Sequence, residues 1–300
     1  MDGILNILKP PGMTSFDVVG FLRRILKTKK IGHTGTLDPG AVGVLPICIG
    51  NATKAIEFMM EKDKLYRAEL TLGAETDTQD SSGKVVATYD VNVDETQIRS
   101  VMSSFLGTYE QIPPMYSAVK IEGKKLYELA REGKTIEREP RTVEVFSIDI
   151  LKIKNKETIL FDVHCSKGTY IRTLCDDIGK RLGCGGHMSF LIRTKAGPYD
   201  ISSAITLEEV EMLAEQNKLE ERFLPVDTVF QILKPVVLND ADSKRFLNGV
   251  FINCADPILE AGENIRVYNN KNCFLALGEV ILKQNKLVLK SKKVFNTVSL

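Results

Sequence analysis

Residues 65–73, LYRAELTLG, place Tyr66, Ala68, Leu70 and Leu72 on one face and Arg67, Glu69 and Thr71 on the other. A period of two is the period of a strand, so this segment requires a sheet with one buried face, and Tyr66 opens that face. Other stretches carry the helical period. TSFDVVGFLRRILKTKK (14–30) lines up Phe16, Val19, Leu22 and Ile25 or Leu26, with Thr14 or Ser15 placed to cap it. The strand pattern TILFDVHCS leads through KGTYIRTLCDDIGKRLGCGG into a helix with Ile171, Leu174, Cys175, Ile178 and Leu182 inward, Thr169 as its expected cap and Gly183 as its stop. TLEEVEMLAEQ adds a helix with a Thr206 and Glu209 capping box. Strands and helices in this mixture predict an α+β protein.

At 300 residues the chain has room for about two domains of ~150 residues. With 43% hydrophobic and 26% charged residues it sits near the globular average. No apolar run approaches the ~18 residues of a membrane span. The start, MDGILNILKPPGM, lacks the cationic lead and unbroken apolar core of a signal peptide, which predicts a cytoplasmic protein with no membrane partner. Six scattered cysteines contain no CxxC pair, and His187, three residues after Cys184, has no companion pair, so no metal is expected. A net charge of +1 means that a nucleic-acid surface, if there is one, must be local. Lys27, Lys29 and Lys30, at the end of the first helix, either complement its dipole or bind phosphate.

Several segments resist a simple reading. GHTGTLDPGAVGVLPICIG (32–50) has glycines at 32, 35, 40, 43 and 50 and prolines at 39 and 46, which predicts a loop of several turns around one acid, Asp38. TDTQDSSG resembles a calcium loop only briefly: counted from Asp77, glycine falls at the seventh position and Thr88 at the twelfth, so a polar hairpin turn is expected. Arg172 would occupy the third position of a helix capped by Thr169, where the dipole repels a cation by about 0.3 to 1 kcal/mol; a carboxylate partner such as Asp38 would offset this. Around residues 123–132 a short helix ending at Gly133 precedes a strand near 142–151. The many charges between Lys124 and Arg141 suit either a solvated insertion or a mobile substrate-clasping arm. Beyond a proline-containing link near 225–235, DADSKRFLNG reads as a helix and NIRVYNN, CFLALGEVIL and KLVLKSKKVF as strands. Five lysines and no acid in the last 18 residues suit either a basic binding module or a charged edge that blocks aggregation.

The blocks ILNILKPPGMTS, GHTGTLDPGAVGVLPICIGNATK, KLYRAELTLGAETDTQD, IPPMYSAVKIEGKKLYELAREG, CSKGTYIRTLCDDIGKRLGCGGHMSFLIRT and RFLPVD, spread over roughly residues 3 to 230, resemble in order those of the TruB family of bacterial tRNA pseudouridine synthases. The resemblance implies a catalytic domain over 1–235 on a mixed, largely antiparallel sheet, an RNA-clasping insertion at about 121–145, and a small PUA-like β domain over 236–300. It implies isomerisation of uridine 55 in the T loop of tRNA to pseudouridine, without cofactor or metal, by a monomer. One unpaired carboxylate suits such a reaction, whereas hydrolytic glycosidases usually use two. By the same resemblance Asp38 is the catalytic aspartate, Tyr66 the tyrosine that stacks on the target base, and Arg172 the partner of the aspartate. Leu191 is an apolar pocket residue, Tyr170 contacts the uridine, and His33 supports the flipped-out nucleotide. Lys9 and Pro10 join the substrate-binding set. An RNA chaperone without catalysis and a uracil-releasing nucleosidase are the rival readings. Because every one of these residues precedes 236, removal of 236–300 is expected to affect RNA affinity more than chemistry.

Overall fold

The computed structural model describes residues 2–121, 123–254 and 258–296. The chain opens with β1 (Gly3–Lys9), α1 (Ser15–Leu26), β2 (Ile31–His33), β3 (Val42–Ile49), the short α2 (Ile56–Met60) and β4 (Lys64–Leu72). A hairpin of β5 (Ala74–Thr76) and β6 (Val85–Thr88) precedes α3 (Glu95–Ser103) and β7 (Gly107–Gln111). A small ladder, β8 (Lys120–Ile121) and β9 (Lys124–Lys125), leads into α4 (Leu126–Arg131). Then come the long strands β10 (Arg141–Lys154) and β11 (Thr158–Cys165), α5 (Ile171–Leu182), β12 (Gly186–Ala196), β13 (Tyr199–Asp200) and α6 (Leu207–Glu215).

Among the described residues nine strands share one sheet, ordered β1-β3-β12-β4-β11-β10-β7, with β2 and β13 pairing at β3 and β12. Its ladders are antiparallel except where β12 runs parallel to β3, so the expected mixed, largely antiparallel sheet is present. Because alternate residues of a strand face opposite ways, Leu5, Leu45 and Ala68 join a core under α1, α3, α5 and α6. Ile4, Val44 and Cys48 point to a second core on the other face.

Three local expectations change. The segment 32–50 is not all loop: β2 and β3 lie within it. Pro46 is tolerated inside β3 because its carbonyl accepts from Thr34 N at 3.1 Å on the β2 side, and its missing N–H falls on that same side, just where β2 has ended. Phe16 is exposed rather than part of the apolar stripe of α1. The Ser15 hydroxyl accepts from Leu37 N at 2.8 Å and so must face inward, and Phe16, about 100° further round the helix, faces out. The cap of α5 is Tyr170, not Thr169. Gln111 replaces a local cap, accepting from Tyr170 N at 2.8 Å and donating to Tyr170 O at 3.0 Å, while Thr169 Oγ1 turns back to Ser166 O.

The C-terminal sheet comprises β14 (Lys234–Leu238), β15 (Ile252–Asn253), β16 (Asn264–Asn269), β17 (Phe274–Lys283) and β18 (Lys286–Val294), with α7 (Asp240–Leu247) packed against it. Its order is β14-β16-β17-β18-β15. The expected Asn-Asn turn is built on Asn269, whose Oδ1 accepts from Lys271 N and Cys273 N. This unit is not a free appendage. Leu277 and Phe295 belong to the second core of the nine-stranded sheet, and Phe230 touches Phe58, Phe274 and Phe295 at ring separations of 5.2, 6.0 and 5.6 Å. Lys54 Nζ donates to Val294 O at 2.7 Å, and Lys293 pairs with Glu57 at 2.6 Å. Removing 236–300 would therefore uncover the second core. Phe295→Ala should lower the unfolding free energy of the whole chain by about 3 to 5 kcal/mol, read from the urea midpoint, with one transition rather than two.

Candidate active site

Asp38 sits on the loop between β2 and β3, and the sequence around it is shaped to hold that loop down. Leu37 is buried, and the Ser15 hydroxyl takes its N–H and reaches its carbonyl at 3.3 Å. Pro39 O accepts from Gly12 N at 2.8 Å and from Lys9 Nζ at 3.2 Å, and Ala41 N returns to Asp38 O to close a turn. Lys9 is thus a clamp rather than a surface cation. It is fully buried, its ammonium also donates to Pro10 O and Met13 O, and burial pulls its pKa down to about 8. The sequence reading put Lys9 among substrate-binding residues; the fold turns its charge inward, because the carbonyls of the loops around it need a donor. Pro10 is half-buried beside it.

Arg172 meets Asp38 with a two-pronged grip, Nε to Oδ2 at 2.9 Å and Nη2 to Oδ1 at 3.3 Å. The arginine side chain is 5% exposed and the carboxylate 36%, so the pair has a closed arginine end and an open acid end. Arg172 also donates to Thr78 O at 3.2 Å and Tyr116 O at 2.9 Å. A second acid completes the group: Asp80 Oδ2 lies 3.7 Å from Arg172 Nη1. With Tyr170 as cap, Arg172 is the second residue of α5, deeper in the repulsive end of the dipole than the sequence suggested, and two carboxylates offset that cost.

Asp80 was missed at the sequence level, where TDTQDSSG was only a polar turn. Its Oδ1 accepts from Thr78 Oγ1 at 2.7 Å and Ser82 N at 2.9 Å, which leaves Oδ2 to face Arg172. Gly83 makes this possible: a Cβ there would stand 2.3 Å from Thr78 Oγ1. Gln79 fastens the hairpin to α5, donating to Asp176 at 2.7 Å and accepting from Thr173 at 2.7 Å. The signal available in sequence was a cluster of acids and hydroxyls far richer than a two-strand turn needs.

The remaining candidates line the sheet side. Leu191 on β12 lies opposite Ala68 on β4, two residues from Tyr66, so Tyr66, Ala68 and Leu191 share a face. Leu191 is buried and Tyr66 half-buried. His33 ends β2, its Nδ1 accepting from Gly35 N at 3.3 Å. Burial first, then the Arg193 charge, lowers its pKa, so the ring is neutral near pH 7. Tyr170 is half-buried at the head of α5, next to Arg172. The structure thus brings Asp38 and Arg172 into contact and sets Tyr66 and Leu191 side by side, with His33 and Tyr170 at the ends of β2 and α5. No group of three or more His, Cys, Asp or Glu fit to hold a metal occurs among the described residues.

The electrostatics of Asp38 set burial against its arginine partner. Burial raises its pKa, Arg172 opposes that, and the nearby Asp80 charge raises it again, for a net rise. Two acids share one guanidinium.

Two family models match the chain: the TruB family pseudouridylate synthase N-terminal domain over residues 23–171 and the tRNA pseudouridylate synthase B C-terminal domain over 172–231. Their junction falls at the start of α5, inside the catalytic sheet, and the C-terminal sheet lies beyond both. The tRNA pseudouridine synthase B of Alkaliphilus oremlandii is 53% identical over 284 residues, 93% of each chain. That of Clostridioides difficile is 45% identical over 302 residues, 98% of this chain and 100% of the relative. Among solved structures, an H/ACA RNP bound to a substrate RNA containing 2′-deoxyuridine has a chain that matches with TM-score 0.75 and 27% identity, covering 98% of this chain and 85% of that one. A Cbf5-Nop10-Gar1 complex matches with TM-score 0.74 and 29% identity over the same shares.

The Asp38 titration is open to measurement by carboxyl carbon NMR. Its midpoint should lie above the ordinary aspartate value of about 3.9. Asp80→Asn removes a negative neighbour and should move that midpoint to lower pH, whereas Arg172→Gln removes the positive one and should move it higher.

Proposed function

Since the chain belongs to the TruB family of pseudouridylate synthases and is an RNA uridine-to-pseudouridine isomerase acting on tRNA, we propose that Asp38 is the carboxylate that carries the isomerisation. The substrate position is uridine 55 in the T loop, and the protein works as a cytoplasmic monomer. No helix among the described residues is long and apolar enough to cross a membrane.

The reaction conserves atoms and oxidation state: the C1′–N1 bond breaks, the base turns, C1′–C5 forms, and the hydrogen of C5 is replaced by one on N1. A single nucleophile or base that is regenerated at the end suffices. The observation that carries the assignment is the half-open geometry of the pair, with Arg172 sealed behind Asp38 and the carboxylate facing outward. A carboxylate aimed this way by a rigid fork is pre-organised for a sugar or base brought to it, and little reorganisation is needed at the moment of reaction. The raised pKa fits a reactive anion that burial has left less stabilised than one in water.

The base must leave its stack to reach Asp38. Tyr66 then supplies an aromatic platform worth about 1 to 3 kcal/mol of lost stacking, with Leu191 as the apolar wall beside it. His33, neutral with Nδ1 engaged, has Nε2 as a donor for the extruded nucleotide, and Tyr170 meets the uridine from the α5 side. The insertion at about 121–145 clasps the RNA. The chain leading into it is tied to the site through Tyr116 O, which accepts from Arg172.

The RNA contacts are local and cationic. Lys27 and Lys29 at the end of α1 and Lys286 and Lys290 on β18 are exposed cations, whereas Lys30, Lys292 and Lys293 hold Asn51, Asn264 and Glu57. Lys283 lies over the Phe251 ring at 3.9 Å.

Asp38→Asn should abolish pseudouridine formation on a T-arm hairpin while leaving affinity within a few-fold. Full activity in the purified variant, with deamidation excluded by mass spectrometry, would remove Asp38 from the mechanism, and free uracil in the wild-type reaction would point to a nucleosidase instead. Arg172→Lys keeps a charge but loses the fork, and should fold yet turn over roughly 100-fold more slowly. Binding should weaken with salt, each phosphate contact adding about 0.9 to the log-log slope on duplex and about 0.7 on single strand. A salt-independent Kd would contradict it.

A further inference from the structure

Arg193 is among the largest fully buried side chains, 1% exposed, and the chemistry above makes no use of it. It lies on β12 directly opposite Tyr66 of β4, and on its other side it pairs with Gly43 of β3. Directly opposed residues of neighbouring strands share a face, so its side chain starts out about 5 Å from that of Tyr66. From there Nε donates to Val44 O at 2.7 Å and Nη2 to Gly35 O at 3.2 Å. Those two carbonyls bracket the loop that carries Asp38. The strands cross closely here: at Gly43, with φ +114°, a Cβ would stand 2.3 Å from Arg193 O, so only glycine fits.

A buried guanidinium is expensive to keep unless its donors and charge serve something that an apolar side chain of the same size could not. No carboxylate among the described residues lies within 4.0 Å of it, in contrast to Arg172 with two. Its fork spans two backbone segments that a methionine could touch but not hold. Its charge falls on the site, where it favours neutral His33 and opposes the effect of burial on the Tyr66 hydroxyl.

We infer that Arg193 is a positioning residue for the isomerisation: it clamps both ends of the Asp38 loop to the strand pair bearing Tyr66, and so sets the distance between the carboxylate and the aromatic platform. The inference rests on the reading of Asp38 and Tyr66 given under Proposed function.

Two variants test it, each first shown to be folded by circular dichroism and a melting curve. Arg193→Lys keeps the cation but has a single nitrogen that cannot span Gly35 and Val44; Arg193→Met removes the charge as well. Both should slow single-turnover pseudouridine formation on a T-arm hairpin by about 10- to 100-fold, with Kd within a few-fold, because a displacement of the order of 1 Å between reacting groups is enough for such a loss. A readout independent of catalysis is the NMR titration of His33, readily assigned in a chain with three histidines. Its midpoint should rise in Arg193→Met and stay near wild type in Arg193→Lys. Should Arg193→Met fail to fold, Arg193→Gln replaces it. A wild-type single-turnover rate in folded Arg193→Lys overturns the inference, as does an unmoved His33 midpoint in the uncharged variant. Activity in Asp38→Asn would instead fault the catalytic reading, while the His33 titration would still report on the clamp.

Discussion

The guanidinium of Arg172 is the contact on which the site depends, because three separate pieces of chain end on it. The Asp38 loop, the β5–β6 hairpin through Thr78 and Asp80, and the segment ahead of the insertion through Tyr116 all converge on a side chain carried by the first turn of α5. A planar group with five donors can serve several acceptors in fixed directions at once, which an ammonium on a flexible stem cannot. The arrangement also explains why a cation is tolerated at a helix N-terminus: two carboxylates face it. Burial is the main cause of the raised Asp38 pKa, the Asp80 charge adds to it, and the guanidinium that aims the carboxylate works against it.

Around this pair the protein keeps its other cations inside. Lys9 and Lys64 are buried, and burial draws both down to a pKa of about 8; Lys9 donates to three loop carbonyls and Lys64 to Met60 O and Lys62 O. Arg193 makes a third. Loops carry backbone carbonyls that have no ladder partner, and a long cationic side chain satisfies several of them while tying distant segments together. These inner lysines hold loop geometry. The C-terminal sheet serves stability through the same economy of contact, since its aromatic side chains close the second face of the catalytic sheet.

Much of this was legible in the sequence. The period of two in LYRAELTLG located β4 and the buried side of Tyr66; the Thr206 and Glu209 box located the start of α6; and the six ordered blocks pointed to the family that the comparisons show. The pairing of Arg172 with Asp38 followed from a local conflict, a cation at the wrong end of a helix, which requires a partner from elsewhere. Such features are readable because they are short-range: side-chain alternation, caps and dipoles act within a few residues.

What the tertiary structure alone decided involves partners distant in the chain. β3 hides among glycines and a proline, because its strand state comes from pairing with β1 and β2 rather than from its own propensity. The cap of α5 comes from Gln111, 59 residues away. The second acid, Asp80, reaches Arg172 only because Gly83 tightens a hairpin that Gln79 pins to α5. Lys9, placed among the substrate-binding residues by resemblance, turns its ammonium onto loop carbonyls in the fold, and Arg193 carries no sequence signal at all beyond being an arginine in a strand. Local pattern specifies which elements form and which face each one buries. Which side chains then meet across those elements depends on sheet register and strand crossing, and no window of a few residues contains that information.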